Sequence, residues 1–154
     1  SQKEGSMNYL ALDPGINGAI AWIDSDGYAR AEKMPTGMSA QADFVRSLAA
    51  SSTNWTAILE RTGTYRRGNA GPSSVTFARH CGNLEAILYC LGIPTEQIAP
   101  SKWQAGLGKW SKEKAVRKRE IKEAMSRRYP YLKVTLSTAD ALGILTYFIN
   151  QKNI

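Results

Sequence analysis

Two short apolar runs, residues 8–12 and 18–23, lie close together near the N-terminus. Asp13 to Asn17 separates them, and its Asp-Pro-Gly start is typical of a tight turn because proline and glycine interrupt a strand. Asp26-Gly27 offers a second turn into a third run over 28–34. We therefore expect three antiparallel strands. Their apolar side chains require other elements of the chain to pack on at least one face of the sheet.

Helix and strand patterns then alternate along the chain. We predict a helix that has Ser39 as its N-cap and runs to about Ala50, followed by a buried strand over 56–60. A second helix should end at Gly92 and Pro94. It is predicted by an apolar stripe with helical spacing: Phe77, Cys81, Leu84, Leu88 and Leu91.

Three more elements are expected in the last third of the chain. Residues 96–100 indicate a short strand, and residues 111–129 indicate a basic helix. Residues 137–149 are apolar nearly all round, so this last helix must be buried. Strands first, followed by alternating strands and helices, predict an α/β fold with a mixed five-stranded sheet flanked by helices.

The size of the chain suits one domain. Its 154 residues are 43% hydrophobic, and we place the domain at 8–154, with 1–7 as an added or disordered polar start. Cys81 and Cys90 lie nine residues apart in one predicted helix, so we interpret both as reduced core residues. No apolar run approaches 18 residues, which predicts a soluble, intracellular protein with no membrane partner.

Positive charge is concentrated in one segment. Residues 101–133 contain eleven Lys or Arg and three Glu, a net charge of +8, although the whole chain carries only +7. A surface this one-sided is typical of a protein that binds a polyanion such as nucleic acid. A solvated helix face that keeps the protein soluble is the alternative, although such faces usually mix both signs.

Three carboxylates occupy unusual places. Asp13 ends the first predicted strand, Glu60 ends the buried strand over 56–60, and Asp140 lies in the first turn of the buried last helix. Buried carboxylates are rare unless they are paired or bind a metal, because desolvating the charge is costly. If the three converge, a site of hard oxygen ligands without His or Cys favours Mg²⁺ or Mn²⁺, and two such ions would support phosphodiester hydrolysis.

Each acid also has a purely structural interpretation. Asp13 can serve its turn, and Glu60 can pair with Arg61 at the strand end. Asp140 fits a capping box in which Ser137 is the N-cap and Asp140 is the third helical residue. The metal site becomes the stronger hypothesis only because all three placements occur together with the basic segment.

These residues resemble the RuvC family of Holliday junction resolvases, within the ribonuclease H-like superfamily. Tyr9 to Gly18 is similar to the family's opening strand and Asp-Pro-Gly turn, and Ile58 to Glu60 is similar to its second acidic site. Thr138 to Ile144 resembles the closing helix motif. The resemblance extends from Asn8 to about Phe148.

The resemblance implies an activity and partners. Family members are homodimers that act in DNA recombination and repair, bind four-way DNA junctions, and make paired nicks that leave 5′-phosphate and 3′-hydroxyl ends. By position, Asp13, Glu60 and Asp140 would be catalytic residues that bind Mg²⁺ or Mn²⁺, with two ions in each active site. The helix from Phe77 to Leu91 resembles the dimerisation helix, although an ordinary core helix explains its stripe equally well.

Several basic and aromatic residues are candidates for DNA contacts. Ala99 to Lys102 and Ser111 to Lys114 resemble the two places where family members have DNA-contacting lysines, so Lys102, Lys112 and Lys114 are expected to contact phosphates. Tyr65, Arg66 and Arg67 follow Glu60 in a glycine-rich stretch, where the ring is expected to stack on a splayed base. Trp103 and Trp110 are interpreted as core anchors rather than base stackers.

One departure from the family pattern leaves other functions open. Many members have Asp or His three residues before the last acid, and this chain has Ser137, a poor ligand for a hard cation. A catalytically weak or inactive module that binds DNA junctions therefore remains an alternative. Half of a sugar kinase or actin-like ATPase is a second alternative, since Asp13, Gly15 and Gly18 also resemble a phosphate loop, but such folds need about twice this length.

Overall fold

The computed structural model describes residues 7–61 and 72–152. Its five strands are β1 (Asn8–Asp13), β2 (Ala19–Ile23), β3 (Ala29–Lys33), β4 (Trp55–Glu60) and β5 (Thr95–Ile98). Its five helices are α1 (Met38–Ser51), α2 (Pro72–Cys90), α3 (Pro100–Leu107), α4 (Lys114–Arg128) and α5 (Leu136–Lys152). Residues 1–6 of the polar start expected at 1–7, and Tyr65, Arg66 and Arg67, lie outside the described residues.

All strands join one mixed sheet in the order β3-β2-β1-β4-β5. The first three are antiparallel neighbours, as expected, whereas β4 pairs parallel with both β1 and β5. Leu12 of β1 is in register with Leu59 of β4. The next residue of each strand is an acid, so the parallel pairing brings the two acidic strand ends to the same edge of the sheet.

Helices cover both faces of the sheet. Alternate residues of β1 point to opposite sides, so Leu10 and Leu12 pack with α1 and α2, whereas Tyr9 and Ala11 pack with α3, α4 and α5. Helix α5 is buried along most of its length, as its sequence predicted, and contacts β1, β2, β3 and β4. The predicted mixed five-stranded α/β fold is confirmed. None of the described helices is both long enough and apolar enough to cross a bilayer.

Four local predictions are wrong. Gly37, not Ser39, is the N-cap of α1, because the Gly37 carbonyl accepts the first helical hydrogen bond from the Gln41 amide at 3.1 Å. The strand expected over 96–100 ends at Ile98, since Pro100 starts α3 as a residue with the fixed φ that suits a first helical position. The basic helix begins at Lys114 instead of 111. Cys90 is exposed on α2 rather than buried in the core, although neither cysteine of the described chain forms a disulfide.

Candidate active site

The turn after β1 holds Asp13 in a tight bend. The Gly18 amide donates to the Gly15 carbonyl at 3.0 Å, and Gly15 has a φ of 113°, which side-chain-bearing residues rarely adopt. A Cβ on Gly18 would lie 1.9 Å from the Asp13 carbonyl oxygen. Only a chain with glycine at both positions can therefore turn this closely beside Asp13.

Asp140 reaches the same region from the second turn of α5. The Thr138 amide donates to the Thr135 hydroxyl at 3.1 Å, and the Thr135 amide donates to the Thr138 hydroxyl at 3.0 Å. Thr135 is therefore the N-cap and Thr138 the third helical residue of a reciprocal cap. The alternative in which Ser137 and Asp140 form the capping box is wrong, so Asp140 has no structural task at the helix start.

Asp13, Glu60 and Asp140 line one open cavity of about 450 Å³, called here the acid cavity. The residues come from β1, β4 and α5, which are far apart in sequence and meet through the parallel β1–β4 pair and the packing of α5 on the sheet. The structure thus brings together the three acids that the sequence singled out.

Burial and mutual repulsion make the acid cavity electrostatically strained. Desolvation, then the charges of Glu60 and Asp140, raise the pKa of Asp13 from 3.8 to about 8. Burial also raises the pKa of Glu60 and that of Asp140. Lys118 opposes the shift at all three acids. A cation that entered this cavity would relieve the same repulsion.

Trp103 fixes the orientation of Glu60. Its indole Nε1 donates to Glu60 Oε2 at 2.7 Å, and this hydrogen bond lowers the pKa of Glu60 against the effect of burial. The ring is fully buried in the core, which confirms the prediction that Trp103 is a core anchor. Trp110 is half-buried against the same core and donates to the Gln104 carbonyl at 2.7 Å. The hydrogen bond to Glu60 was not predicted, because no helix was expected between the strand over 96–100 and the basic helix over 111–129.

The basic residues at the acid cavity come from the first turns of α4. Lys114, a predicted DNA contact, lines the cavity together with Arg117 and Lys118, which were not singled out. A signal for them exists in the sequence. Ile121 and Met125 form the buried stripe of α4, and the positions three, four and seven residues before Ile121 continue that stripe towards the N-terminus.

The other predicted DNA contacts lie elsewhere. Lys102 is exposed on α3 and lines a different cavity with Glu96 and Lys152, whereas Pro100 and Gln104 of the same helix line the acid cavity. Lys112 is exposed just before α4, and its carbonyl accepts a hydrogen bond from Arg117 at 3.1 Å. Contacts of Lys102 and Lys112 with DNA stay predictions, and so do those of Tyr65, Arg66 and Arg67.

The three acids have the ligand atoms that a hard divalent cation prefers, but their side chains are not placed to hold one. The donors are all carboxylates, which Mg²⁺ and Mn²⁺ prefer. Burial raises the pKa of all three, so each holds its proton more tightly than usual, and a bound cation would favour the ionised form instead. Yet no group of three or more His, Cys, Asp or Glu side chains in the described ranges is arranged to hold a metal ion. Binding would require the three carboxylates to close towards one another, with Glu60 still held on one oxygen by Trp103.

Ser137 does not compensate for the missing fourth ligand. It is half-buried in the first turn of α5 and is not among the residues that line the acid cavity. The cavity does contain two neutral oxygen-bearing side chains, those of Asn17 and Gln104. Any further ligand from the described residues would therefore be a neutral amide rather than an acid or an imidazole.

The fold was compared with known proteins. The sequence matches no family model and no curated protein sequence. Among solved structures, Thermus thermophilus RuvC in complex with a Holliday junction substrate aligns with a TM-score of 0.61 at 17% identity, over 95% of this chain and 97% of that one. A second Thermus thermophilus RuvC structure aligns with a TM-score of 0.57 at 19% identity, over 94% and 96%. This chain has a RuvC-like fold. The mixed five-stranded sheet flanked by helices is thus shared with these structures.

Lys118 provides a direct test of the electrostatics of the acid cavity. Lys118→Met should raise the pKa of Asp13, Glu60 and Asp140 further, because the cation that opposes their repulsion is gone. Carboxyl-detected NMR titration measures these pKa values. Lys122→Met is the matched control: it removes the same charge from the same helix one turn further on, outside the cavity lining, and should leave the three pKa values unchanged. Equal shifts in both variants would contradict the assignment.

Proposed function

We propose that this protein is a divalent-metal-dependent endonuclease that resolves four-way DNA junctions by paired nicks. The observation that carries the proposal is the acid cavity, where three carboxylates meet the basic first turns of α4. Carboxylates that repel one another are suited to hold metal cations, and the basic side chains beside them are suited to bind a phosphodiester. The alignment with RuvC over nearly the whole chain supports the junction as substrate.

The charged residues of the acid cavity, together with Trp103, each have a part in the proposed reaction. Asp13, Glu60 and Asp140 would hold one or two Mg²⁺ or Mn²⁺ ions, which supply activation of the attacking water and charge stabilisation at the phosphorus when bound. Lys114, Arg117 and Lys118 bind the phosphate oxygens and keep the backbone of the DNA in the cavity. Trp103 holds Glu60 in one orientation, so that this carboxylate does not have to be ordered when DNA arrives.

Paired nicks need two active sites, and we propose a homodimer. Helix α2 offers a surface for it, since Val75 and Tyr89 are exposed large apolar side chains on this helix. The Tyr89 side chain is 85% exposed in the single chain, and an interface between two copies would bury it. Sedimentation of the full chain measures the assembly; a monomer that still nicks junctions would contradict the dimer and leave the nuclease intact.

The test of the proposed function uses a synthetic four-way junction and a linear duplex of the same sequence. With Mg²⁺ or Mn²⁺, the protein should make symmetric nicks confined to the junction, and ligase should reseal the products because they carry 5′-phosphate and 3′-hydroxyl ends. Asp13→Asn and omission of the metal are the controls. Equal cleavage of the duplex, or cleavage unaffected by either control, would overturn the proposal.

A junction-binding module with weak or no catalysis is the second candidate. It is favoured by one observation: Ser137 lies outside the cavity lining, and the three acids are not yet arranged as ligands of one ion. This candidate predicts junction binding of normal affinity without nicking in either metal. The same junction experiment, accompanied by a gel-shift titration, therefore separates the two candidates.

A further inference from the structure

A histidine on α2 holds the turn that carries Asp13. The Gly15 amide donates to Nδ1 of His80 at 3.0 Å, a hydrogen bond between residues 65 apart in sequence. Gly15 also lies against the ring of Phe77, one turn earlier on α2, where an added Cβ would be 3.4 Å from the ring. The contact therefore fixes the turn to α2 by both a polar and an apolar interaction.

This hydrogen bond occupies the first amide after Asp13. Pro14 has no amide hydrogen, so the Gly15 amide is the first donor that can anchor the chain beyond the acid. Among the described residues, His80 accepts the hydrogen bond of this amide. The next anchor, from the Gly18 amide to the Gly15 carbonyl, lies inside the turn and ties it only to itself. The Gly18 carbonyl accepts from the Met34 amide at 3.0 Å, which holds the far end of the turn to the segment after β3. His80 holds the end of the turn that lies next to Asp13.

The bond determines the protonation of the ring. A backbone amide only donates, so Nδ1 must present its lone pair, and a neutral imidazole then carries its proton on Nε2. Nε2 is buried and has no hydrogen-bond partner in the part of the chain that the structure describes. Burial also lowers the pKa of His80, which favours the neutral ring.

The same geometry excludes a direct chemical role for the ring. Nδ1 is occupied by the Gly15 amide and Nε2 is shielded from solvent, so neither nitrogen is free to ligate a cation or accept a proton from water. His80 is not among the residues that line the acid cavity. It lines the adjoining, more apolar cavity with Met34, Pro35 and Phe77.

We propose that His80 is a positioning residue of the acid cavity, which acts as a neutral Nε2-protonated ring that anchors the Gly15 amide and so places Asp13. Its effect on cleavage rests on the proposed function, whereas its tautomer and its bond to Gly15 do not. A displacement of Asp13 by a fraction of its distance to the other acids would alter both cation binding and the reaction, while the basic surface of α4 would be untouched.

Two variants separate the hydrogen bond from the ring. His80→Phe keeps an aromatic ring of similar size but has no acceptor. His80→Asn loses the ring but places a carbonyl oxygen near the position of Nδ1, so it can still accept from Gly15. If the acceptor matters, Asn should behave like the original residue and Phe should not; if packing matters, the order should be reversed.

Measurements on the protein alone come first. Long-range ¹H–¹⁵N spectra of the original protein should show the Nε2-protonated tautomer, and hydrogen exchange of the Gly15 amide should be slow. In His80→Phe this amide should exchange at least about tenfold faster, and in His80→Asn it should stay protected. Calorimetric titration with Mn²⁺ should show weaker binding in His80→Phe and near-normal binding in His80→Asn.

Cleavage of the junction is the second readout. His80→Phe should lower kcat by about 10- to 100-fold with little change in KM, because Asp13 moves and the DNA-binding cations do not. His80→Asn should recover most of that loss. A protonated Nδ1, a Gly15 amide that exchanges equally in all three proteins, or a Phe variant more active than the Asn variant would overturn the proposal. If no protein nicks DNA, the proposed function fails, and the tautomer, exchange and Mn²⁺ results still decide whether His80 places the turn.

Discussion

Asp13→Asn is expected to abolish junction cleavage and, at the same time, to make the metal-free protein more stable. Loss of a group that acts on the reacting phosphate should reduce the cleavage rate by at least about 10²-fold. The isosteric amide replaces an acid that the folded protein keeps protonated up to about pH 8, because of burial and the charges of Glu60 and Asp140, but that ionises readily in the unfolded chain. We expect the free energy of unfolding to rise by about 0.5–2 kcal/mol, the gain that a single stabilising substitution commonly gives.

The pH dependence of stability follows from the direction of the shift. The pKa of Asp13 is about 8 in the folded protein and 3.8 ordinarily, so between these values the unfolded chain releases a proton that the folded chain retains. The free energy of unfolding of the metal-free protein should therefore fall as the pH rises from about 4 to about 8, and this contribution should change little above that. Asp13→Asn should show a smaller fall.

Denaturant unfolding at several pH values, with and without Mg²⁺ or Mn²⁺, measures both effects. Added metal should stabilise the original protein most at the upper end of the pH range, where the acids are ionised, and should stabilise Asp13→Asn much less. An Asp13→Asn protein that is less stable than the original at pH 8, or that gains as much from metal, would contradict the assignment of Asp13 to a strained cation site.

Gly143→Ala should damage the fold and the acid cavity together. A Cβ at this position of α5 would lie 2.6 Å from Cζ3 of Trp103, whose ring is fully buried and has no room to retreat. Overpacking of this kind costs about 1–3 kcal/mol. Because the same ring holds Glu60 through Nε1, its displacement should also lower the cleavage rate.

Gly82→Ala is the matched control for this substitution. Gly82 also lies inside a helix, but an added Cβ would meet no atom within 4 Å. Alanine is the better helix former, so this variant should be unchanged or more stable by up to about 1 kcal/mol. Trp103→Phe separates the two effects of Gly143→Ala, because it removes the donor to Glu60 while keeping most of the packing. Gly143→Ala and Gly82→Ala proteins with the same unfolding midpoint would show that the close contact is absent in solution.

The acids could be predicted from sequence because each one ends or follows a strongly apolar element. Strand ends that are parallel neighbours meet at one edge of a sheet, so Asp13 and Glu60 had only to belong to adjacent strands. The structural alternative for Asp140 was harder to judge, since Ser137 and Thr135 both have hydroxyls that can cap a helix. Hydrogen bonds of Thr138 with Thr135 decided between them, and no spacing rule in the sequence does so.

The basic residues show where sequence spacing is insufficient. Composition identified the segment over 101–133, but which lysines face the acids depends on the rotation of α4, and that is set by the burial of Ile121 and Met125. Lys114 was therefore included and Lys118 was not. The roles of Trp103 and His80 depend on contacts between residues 43 and 65 positions apart. Such contacts are properties of the assembled fold and leave no local pattern.

Helix α5 contributes Asp140 to the acid cavity and also supplies much of the core, where it packs on four strands and on α3 and α4. A helix with both tasks cannot be released to switch the site off. If α5 unfolded locally to withdraw Asp140 from the cavity, the interior of the protein would be exposed, and the protein would aggregate or be degraded. Control of such a protein must instead act from outside the fold, through access of DNA, supply of metal or the amount of protein made.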